Sequence, residues 1–250
     1  MGDFTGKVII VTGASSGIGR AAAIMFAKRG GKVVAAARRA NKLEETVQMI
    51  KDAGGEGMYV QTDVKIAAQV ENMVKKTVEK YGRLDIAFNN AGKGGIFQSL
   101  VDETEEQFYD QMDTNLKGVW LCMRYEIPEI MKQGGGAIIN NSSITGLRAL
   151  RKLSAYSASK FGVVGLTNAA AKEFAPHNIR IVAICPAWVR TEMTPEFTVD
   201  PERKAKTEKT IPLRRIAEPE EIAELACFLA SDKASFIAGG AIAISGALDI

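Results

Sequence analysis

The pentapeptide Tyr156-Ser157-Ala158-Ser159-Lys160 carries a phenol and an amine four residues apart. On a helix that spacing puts both groups on one face, a single turn apart, so the ammonium can stand beside the phenol. A free tyrosine titrates near pH ~10, and only about one in a thousand is ionised at pH 7. A cation at ~4 Å contributes on the order of 4 kcal/mol at an effective dielectric of ~20. Even part of that would bring the phenol toward the working pH. A tuned phenol suits carbonyl reduction, in which oxygen gains a proton as carbon gains a hydride. Alone, the spacing fits a surface Tyr–Lys pair as readily, so its company decides.

That company is ordered along the chain. Ile138-Ile139-Asn140-Asn141-Ser142-Ser143 closes an apolar run, and Ser143 lies thirteen residues before Tyr156, with Ser142 as the alternative hydroxyl. Near the N-terminus, Thr12-Gly13-Ala14-Ser15-Ser16-Gly17-Ile18-Gly19 joins an apolar run to a helix-period segment. Glycines there permit a tight turn and close backbone approach to a pyrophosphate, and the helix N-terminus offers unpaired N–H groups. Its placement between strand and helix separates it from an ordinary glycine turn. The next apolar run ends Ala35-Ala36-Ala37-Arg38-Arg39. Ala37 stands where a site for NAD(H) carries an acid for the ribose 2′-hydroxyl. A guanidinium from Arg38 or Arg39 can grip a 2′-phosphate instead, with Ser15 as a further donor. That favours NADP(H) over NAD(H), unless the two arginines merely solvate a helix start.

The elements that must hold these groups read as an alternation. Short apolar runs at Lys7–Thr12, Lys32–Ala37, Gly57–Gln61, Leu84–Phe88, Ala137–Asn141, Arg180–Ile184 and Gly240–Ser245 predict seven strands. Helical periodicity covers Gly17–Arg29, Lys42–Ala53, Ala67–Tyr81, Thr104–Lys132 (broken near Pro128), Ser154–Phe174 and Glu218–Ala230. Strands separated by helices imply right-handed βαβ units and a parallel sheet covered on both faces. The expectation is an α/β, Rossmann-type doubly wound fold, a single domain over 1–250 with a mostly parallel seven-stranded sheet. Pro186–Pro212 shows no strand signal. It follows a strand's C-terminal end, where such sheets place ligands, and reads as a substrate loop.

With Asn89-Asn90-Ala91-Gly92 and Asn115-Leu116-Lys117-Gly118, these motifs resemble the short-chain dehydrogenase/reductase family in its compact form. The resemblance runs from Gly6 to about Gly246. It implies that Tyr156 is the acid in reduction and the base in oxidation. Lys160 would hold the nicotinamide ribose and lower the phenol's pKa, and Ser143 would bind the substrate oxygen. Asn115 would hold a water linking Lys160 to solvent, though an asparagine there also fits a cap or a kink. Cofactor contacts implied are Gly13, Ser15, Ser16, Gly17, Ile18 and Gly19 at the pyrophosphate, and Arg38 and Arg39 at the 2′-phosphate. Asp63 and Val64 would lie at the adenine, Asn89 near its ribose, with Ala91 and Gly92 following. Pro186, Val189 and Thr191 would meet the carboxamide, and Tyr156 and Lys160 complete the set. Two departures stand out: Ala187 replaces a glycine after Pro186, and Ser245-Gly246-Ala247 replaces an Asp-Gly-Gly. An alanine would resist positive φ.

The activity implied is an NADP(H)-dependent interconversion of a ketone or aldehyde with an alcohol. Alternatives are a 3-oxoacyl-(acyl carrier protein) reductase and a non-catalytic NADP(H)-binding regulator. The first is weakened because Gly134 and His177 stand where such reductases carry arginines; the second because its members lose the Tyr or the Lys. The pocket wall would come from Ile144, Thr145, Leu153, Trp188, Met193 and Phe197. Arg148, Arg151 and Lys152 fit either an anionic substrate or a solvated loop. Relatives associate through the long helices, so a homotetramer or homodimer is expected.

Composition narrows the field. With 32 basic and 29 acidic side chains the net charge is +3, too small to indicate nucleic acid or an anionic membrane as partner. Cys122, Cys185 and Cys227 match neither a disulfide framework nor a zinc set, and no metal is expected. No run supplies the ~20 apolar residues of a membrane span, and no signal-peptide stretch precedes the first strand. The expectation is a cytoplasmic protein acting on a small molecule.

Overall fold

The apolar runs pair into one sheet. In the computed structural model, which describes residues 3–194 and 200–248, its strands are β1 (Val8–Thr12), β2 (Lys32–Ala37), β3 (Glu56–Gln61), β4 (Ile86–Asn89), β5 (Gly136–Asn141), β6 (Ile179–Pro186) and β7 (Ala241–Ile244). Their spatial order is β3-β2-β1-β4-β5-β6-β7, and every pairing is parallel. Helices α1 (Gly17–Lys28), α2 (Ala40–Asp52), α3 (Ala67–Tyr81), α4 (Glu105–Met112), α5 (Gly118–Met131), α6 (Ser154–Phe174), α7 (Pro201–Thr210) and α8 (Pro219–Ala230) complete the chain.

Strand alternation divides the interior into two cores. On β1, Ile9 and Val11 join the core packed against α1, α2 and α8. Ile10 between them faces the core built on α3, α5 and α6. β2 repeats the division, with Val33 and Ala35 on the first side and Val34 and Ala36 on the second. Covering both faces is why these strands read as continuous apolar runs rather than alternating ones. Each fully buried aliphatic side chain contributes about 1.5–3 kcal/mol. Cys122, Cys185 and Cys227 are all buried as free thiols.

Strand order reverses direction between β1 and β4, and the crevice beyond their C-terminal ends is where such sheets bind ligands. The loops after β1, β4, β5 and β6 meet there.

Two expectations are corrected. The interruption between Thr104 and Lys132 is not at Pro128, which lies inside α5. It is a π-turn over Asp113–Lys117 that joins α4 to α5. Pro128 falls in the last turn of α5, where it removes one i→i−4 hydrogen bond and the helix ends three residues later. The second correction is α7, within the stretch read as loop. Asp200 accepts the N–H of Arg203 at 2.8 Å and Pro201 opens the helix, a start signal legible in Asp-Pro-Glu. Phe197 lies outside the described residues. No described helix is long and apolar enough to cross a membrane.

Candidate active site

These four loops, with those after β2 and β3, enclose a cleft of about 850 Å³. One end is the turn between β1 and α1. Gly13 and Gly17 have φ of 68° and 51°, which side-chain-bearing residues seldom adopt. A Cβ on Gly13 would lie 2.9 Å from Ala91 Cα, and one on Gly19 would lie 2.3 Å from the Gly13 carbonyl oxygen. Gly19 therefore packs α1 onto the turn and does not line the cleft, unlike Gly13, Ser15, Ser16, Gly17 and Ile18. Arg20, which the motif reading passed over, braces the turn by donating to the Ser15 carbonyl at 2.6 Å and to Thr46 Oγ1 at 3.0 Å.

Arg39, at the start of α2, turns back over this end. Its Nη2 donates to Ser15 Oγ at 3.1 Å and Ser16 Oγ at 3.0 Å. Ser16 makes no capping bond to its own helix, so its hydroxyl is available to the cleft. Arg38 also lines the cleft but holds neither serine; its backbone carbonyl accepts from Gln61 at 2.9 Å. A guanidinium with two hydroxyls beside glycine-flanked N–H groups is a donor set that fits a phosphate monoester. Ala37 leaves no carboxylate beside it on β2. The same end of the cleft is lined by Thr62, Asp63 and Val64.

Asn89 is not at this surface. It is 1% exposed, and its Nδ2 donates to Glu126 Oε2 at 3.0 Å and Asn140 Oδ1 at 3.1 Å. As the last residue of β4, two beyond Ala87, it shares that residue's face toward α5. The cleft residue is Asn90, whose Nδ2 donates to the Thr12 carbonyl at 3.0 Å. Strand alternation was the signal that could have separated them.

At the other end, α6 presents Tyr156 and Lys160. Lys160 is 5% exposed, its Nζ donates to the Asn141 carbonyl at 3.0 Å, and it lies 5.7 Å from the centre of the Tyr156 ring. Burial lowers its pKa to about 8. Burial also pushes the Tyr156 phenol up, opposed by the nearby Ser143 and Thr145 hydroxyls. Removal from water is the largest influence on the phenol, and the net direction is upward. Ser142 is turned away, donating to the Lys160 carbonyl at 2.9 Å, which leaves Ser143 as the serine facing the phenol.

Asn115 lies in the π-turn, fully buried, and does not line the cleft. Its Oδ1 accepts the Lys93 N–H at 2.8 Å, and its Nδ2 donates to Gln111 Oε1 at 2.9 Å and the Lys93 carbonyl at 3.2 Å. The side chain is a clamp on the loop after β4. That loop then runs across Tyr156: a Cβ on Gly95 would be 2.8 Å from Tyr156 Cβ and 2.5 Å from Leu153 Cδ2. Gly94, Gly95 and Phe97 line the cleft and were missed, although Gly92-Lys93-Gly94-Gly95 advertised close backbone approach.

Ile144, Thr145, Leu153, Trp188 and Met193 form the wall beyond Tyr156, with Leu150 and Arg148. Arg151 and Lys152 do not line it. Ala91, Gly92, Pro186, Val189 and Thr191 all do, and Thr191 lies over the glycine turn, its Cγ2 3.0 Å from where a Gly17 Cβ would be. Ala187 does not have positive φ, so its methyl brings no backbone strain. His177 sits in a short 3₁₀ turn after α6 with its ring 6.3 Å from that of Phe174, outside the cleft.

Known proteins resemble this chain over nearly its whole length. The family model described as enoyl-(acyl carrier protein) reductase matches residues 13–248. The A-factor type gamma-butyrolactone 1'-reductase (1S-forming) of Streptomyces virginiae is 39% identical over 100% of this chain and 98% of its own. A short-chain type dehydrogenase/reductase from Mycobacterium marinum is 36% identical and superposes with a TM-score of 0.92, covering 98% of this chain and 96% of that one. Carveol dehydrogenase from Mycobacterium avium, in complex with NAD, is 30% identical, with a TM-score of 0.93 over 98% of both chains.

Proposed function

The chain belongs to the short-chain dehydrogenase/reductase family, oxidoreductases of alcohols and ketones, and on that premise we propose that it reduces a small carbonyl compound with NADPH, or runs the reverse oxidation, with Tyr156 as acid/base. The observation that carries this is a single cleft with Tyr156, Ser143 and Lys160 at one end and the glycine turn with Arg39, Ser15 and Ser16 at the other.

The dinucleotide supplies or accepts the hydride; the remaining work falls to side chains. Ser143, whose hydroxyl faces the phenol, orients the substrate oxygen and steadies the charge that grows on it. Tyr156 gives that oxygen a proton in reduction and removes it in oxidation, and its raised pKa keeps it protonated at neutral pH, the form reduction requires. Lys160 supplies a buried positive charge next to the phenol and donors for ribose hydroxyls. Asn115 acts indirectly, fixing the loop that covers Tyr156. At the far end Arg39, with Ser15 and Ser16, receives the 2′-phosphate, the role the sequence offered to either arginine.

The apolar wall of Ile144, Leu150, Leu153, Trp188 and Met193 favours a largely apolar ketone. An acyl carrier protein substrate is the second reading, and the open Gly134 turn and His177 offer its acidic surface little. Exposed Trp120 on α5 and Phe161 on α6 support association of copies through these helices. The test of the function is a panel of ketones, diketones, oxoacids and steroids with NADPH and NADH, followed by nicotinamide absorbance. Tight NADPH binding without turnover on any carbonyl would leave only the non-catalytic alternative.

A further inference from the structure

Arg39 already has an anion on it. Its Nη1 and Nη2 each lie 3.1 Å from Oε2 of Glu192, while Nη2 also holds Ser15 and Ser16. The pair crosses the mouth of the cleft, from the end of β2 to the loop after β6, between residues 153 positions apart. The Glu192 carboxylate thus occupies the guanidinium edge, next to the two hydroxyls, that the proposed cofactor reading assigns to the 2′-phosphate. A carboxylate at this place is also what β2 lacks at Ala37, and it is the partner a ribose 2′-hydroxyl takes in NAD sites.

We infer that Glu192 competes with the 2′-phosphate of NADP(H) for Arg39 and so sets how far this site prefers NADP(H) over NAD(H). The inference rests on the proposed NADP(H) reading of Arg39. Specificity is a difference between two affinities, and a repulsive group adjusts it as effectively as an attractive one. A 2′-phosphate must displace the carboxylate or tolerate its charge. A 2′-hydroxyl carries no charge and leaves the ion pair intact. When a competent state is only partly populated, apparent affinity falls by that fraction. The side chains are 48% and 59% exposed, and exposed pairs of this kind shift an equilibrium by at most about five-fold. The effect on NADP(H) is of that size, and salt weakens it.

The test is equilibrium fluorescence titration of NADPH and NADH, without substrate, into the wild type, Glu192→Gln, Glu192→Ala and Arg39→Ala. Both Glu192 variants should tighten NADPH by about two- to five-fold and leave NADH no tighter, with the gain shrinking as ionic strength rises. If Arg39→Ala weakens NADPH selectively while the Glu192 variants leave NADPH unchanged, or tighten both cofactors alike, the competition is refuted and the NADP(H) reading survives. If Arg39→Ala leaves NADPH binding untouched, that reading fails and the competition with it.

Discussion

Lys160 Nζ stands 5.7 Å from the centre of the Tyr156 ring and gives its hydrogen bond to the carbonyl of Asn141, 3.0 Å away. Burial moves the two groups in opposite directions, the phenol up and the amine down to about 8. Lys160 is therefore charged below pH about 8 and loses its charge above it, while the phenol stays protonated through the same range. The free-enzyme kcat/KM for reduction should be level near neutrality and fall as pH passes through the Lys160 pKa. Alcohol oxidation, which requires the ionised phenol, should rise with pH. Profiles in both directions check this; a reduction rate still climbing well above that pH contradicts it.

Tyr156→Phe removes the proton donor and leaves the ring. Loss of a positioned acid/base group typically costs 10²–10⁴-fold, so kcat should drop by about that factor. NADPH affinity, measured by titration, should change little. Retained turnover would reassign the proton to another group.

Asn115→Leu keeps the branched shape of the side chain, with some added volume, and removes the clamp. The partly buried N–H of Lys93, held by Asn115 Oδ1, would lose its partner at a cost of about 1 kcal/mol. Urea midpoints should fall accordingly. Activity should fall as well, because the Lys93–Gly95 loop is no longer held against Tyr156. A variant that is destabilised yet fully active would separate the clamp from the chemistry.

Glu126 is fully buried, and desolvation raises its carboxyl to about 7, with the Asn89 hydrogen bond acting the other way. Its Oε1 and Asn89 Oδ1 both lack partners. Because the folded pKa exceeds the unfolded value of ~4.3, the folded state binds this proton more tightly. Its contribution is full below the unfolded pKa, declines as pH rises through the window up to about 7, and then levels. The decline is on the order of 3 kcal/mol. Glu126→Gln should abolish this component and be more stable than the wild type at pH ~8, its amide able to donate to one oxygen while accepting from Asn89. Denaturant curves across the window decide; parallel pH dependences in the two proteins would rule the account out.

Ala247 holds φ at 65° beside Gly246 at 63°. An alanine there pays the left-handed penalty of about 1–2 kcal/mol, partly offset because glycine loses more entropy on folding. Ala247→Gly should raise stability by about 0.5–1 kcal/mol, seen as a higher melting temperature.

Much of this was local and therefore legible. The Tyr156–Lys160 spacing, the glycine turn, the strand–helix alternation and the order of motifs depend on helical and strand periodicity, which a linear chain records directly. Two choices between neighbours needed finer reading. Asn89 and Asn90 differ only in which side of β4 they take, and the period of two from Ala87 would have told them apart. Ser142 and Ser143 divide likewise, one bonding Lys160's backbone and the other facing the phenol.

The sequence by itself determined the family, the sheet and the pairing of Tyr156 with Lys160 on one helix, because each rests on short-range repeats and motif order. Tertiary structure alone decided that Arg39 and not Arg38 holds the two serines, that Glu192 meets it from 153 positions away, and that Lys160 is buried with its pKa lowered to about 8. Those outcomes depend on how far a side chain reaches across a gap between distant loops and on how much water is left around it. Neither quantity is a property of neighbouring letters in the chain.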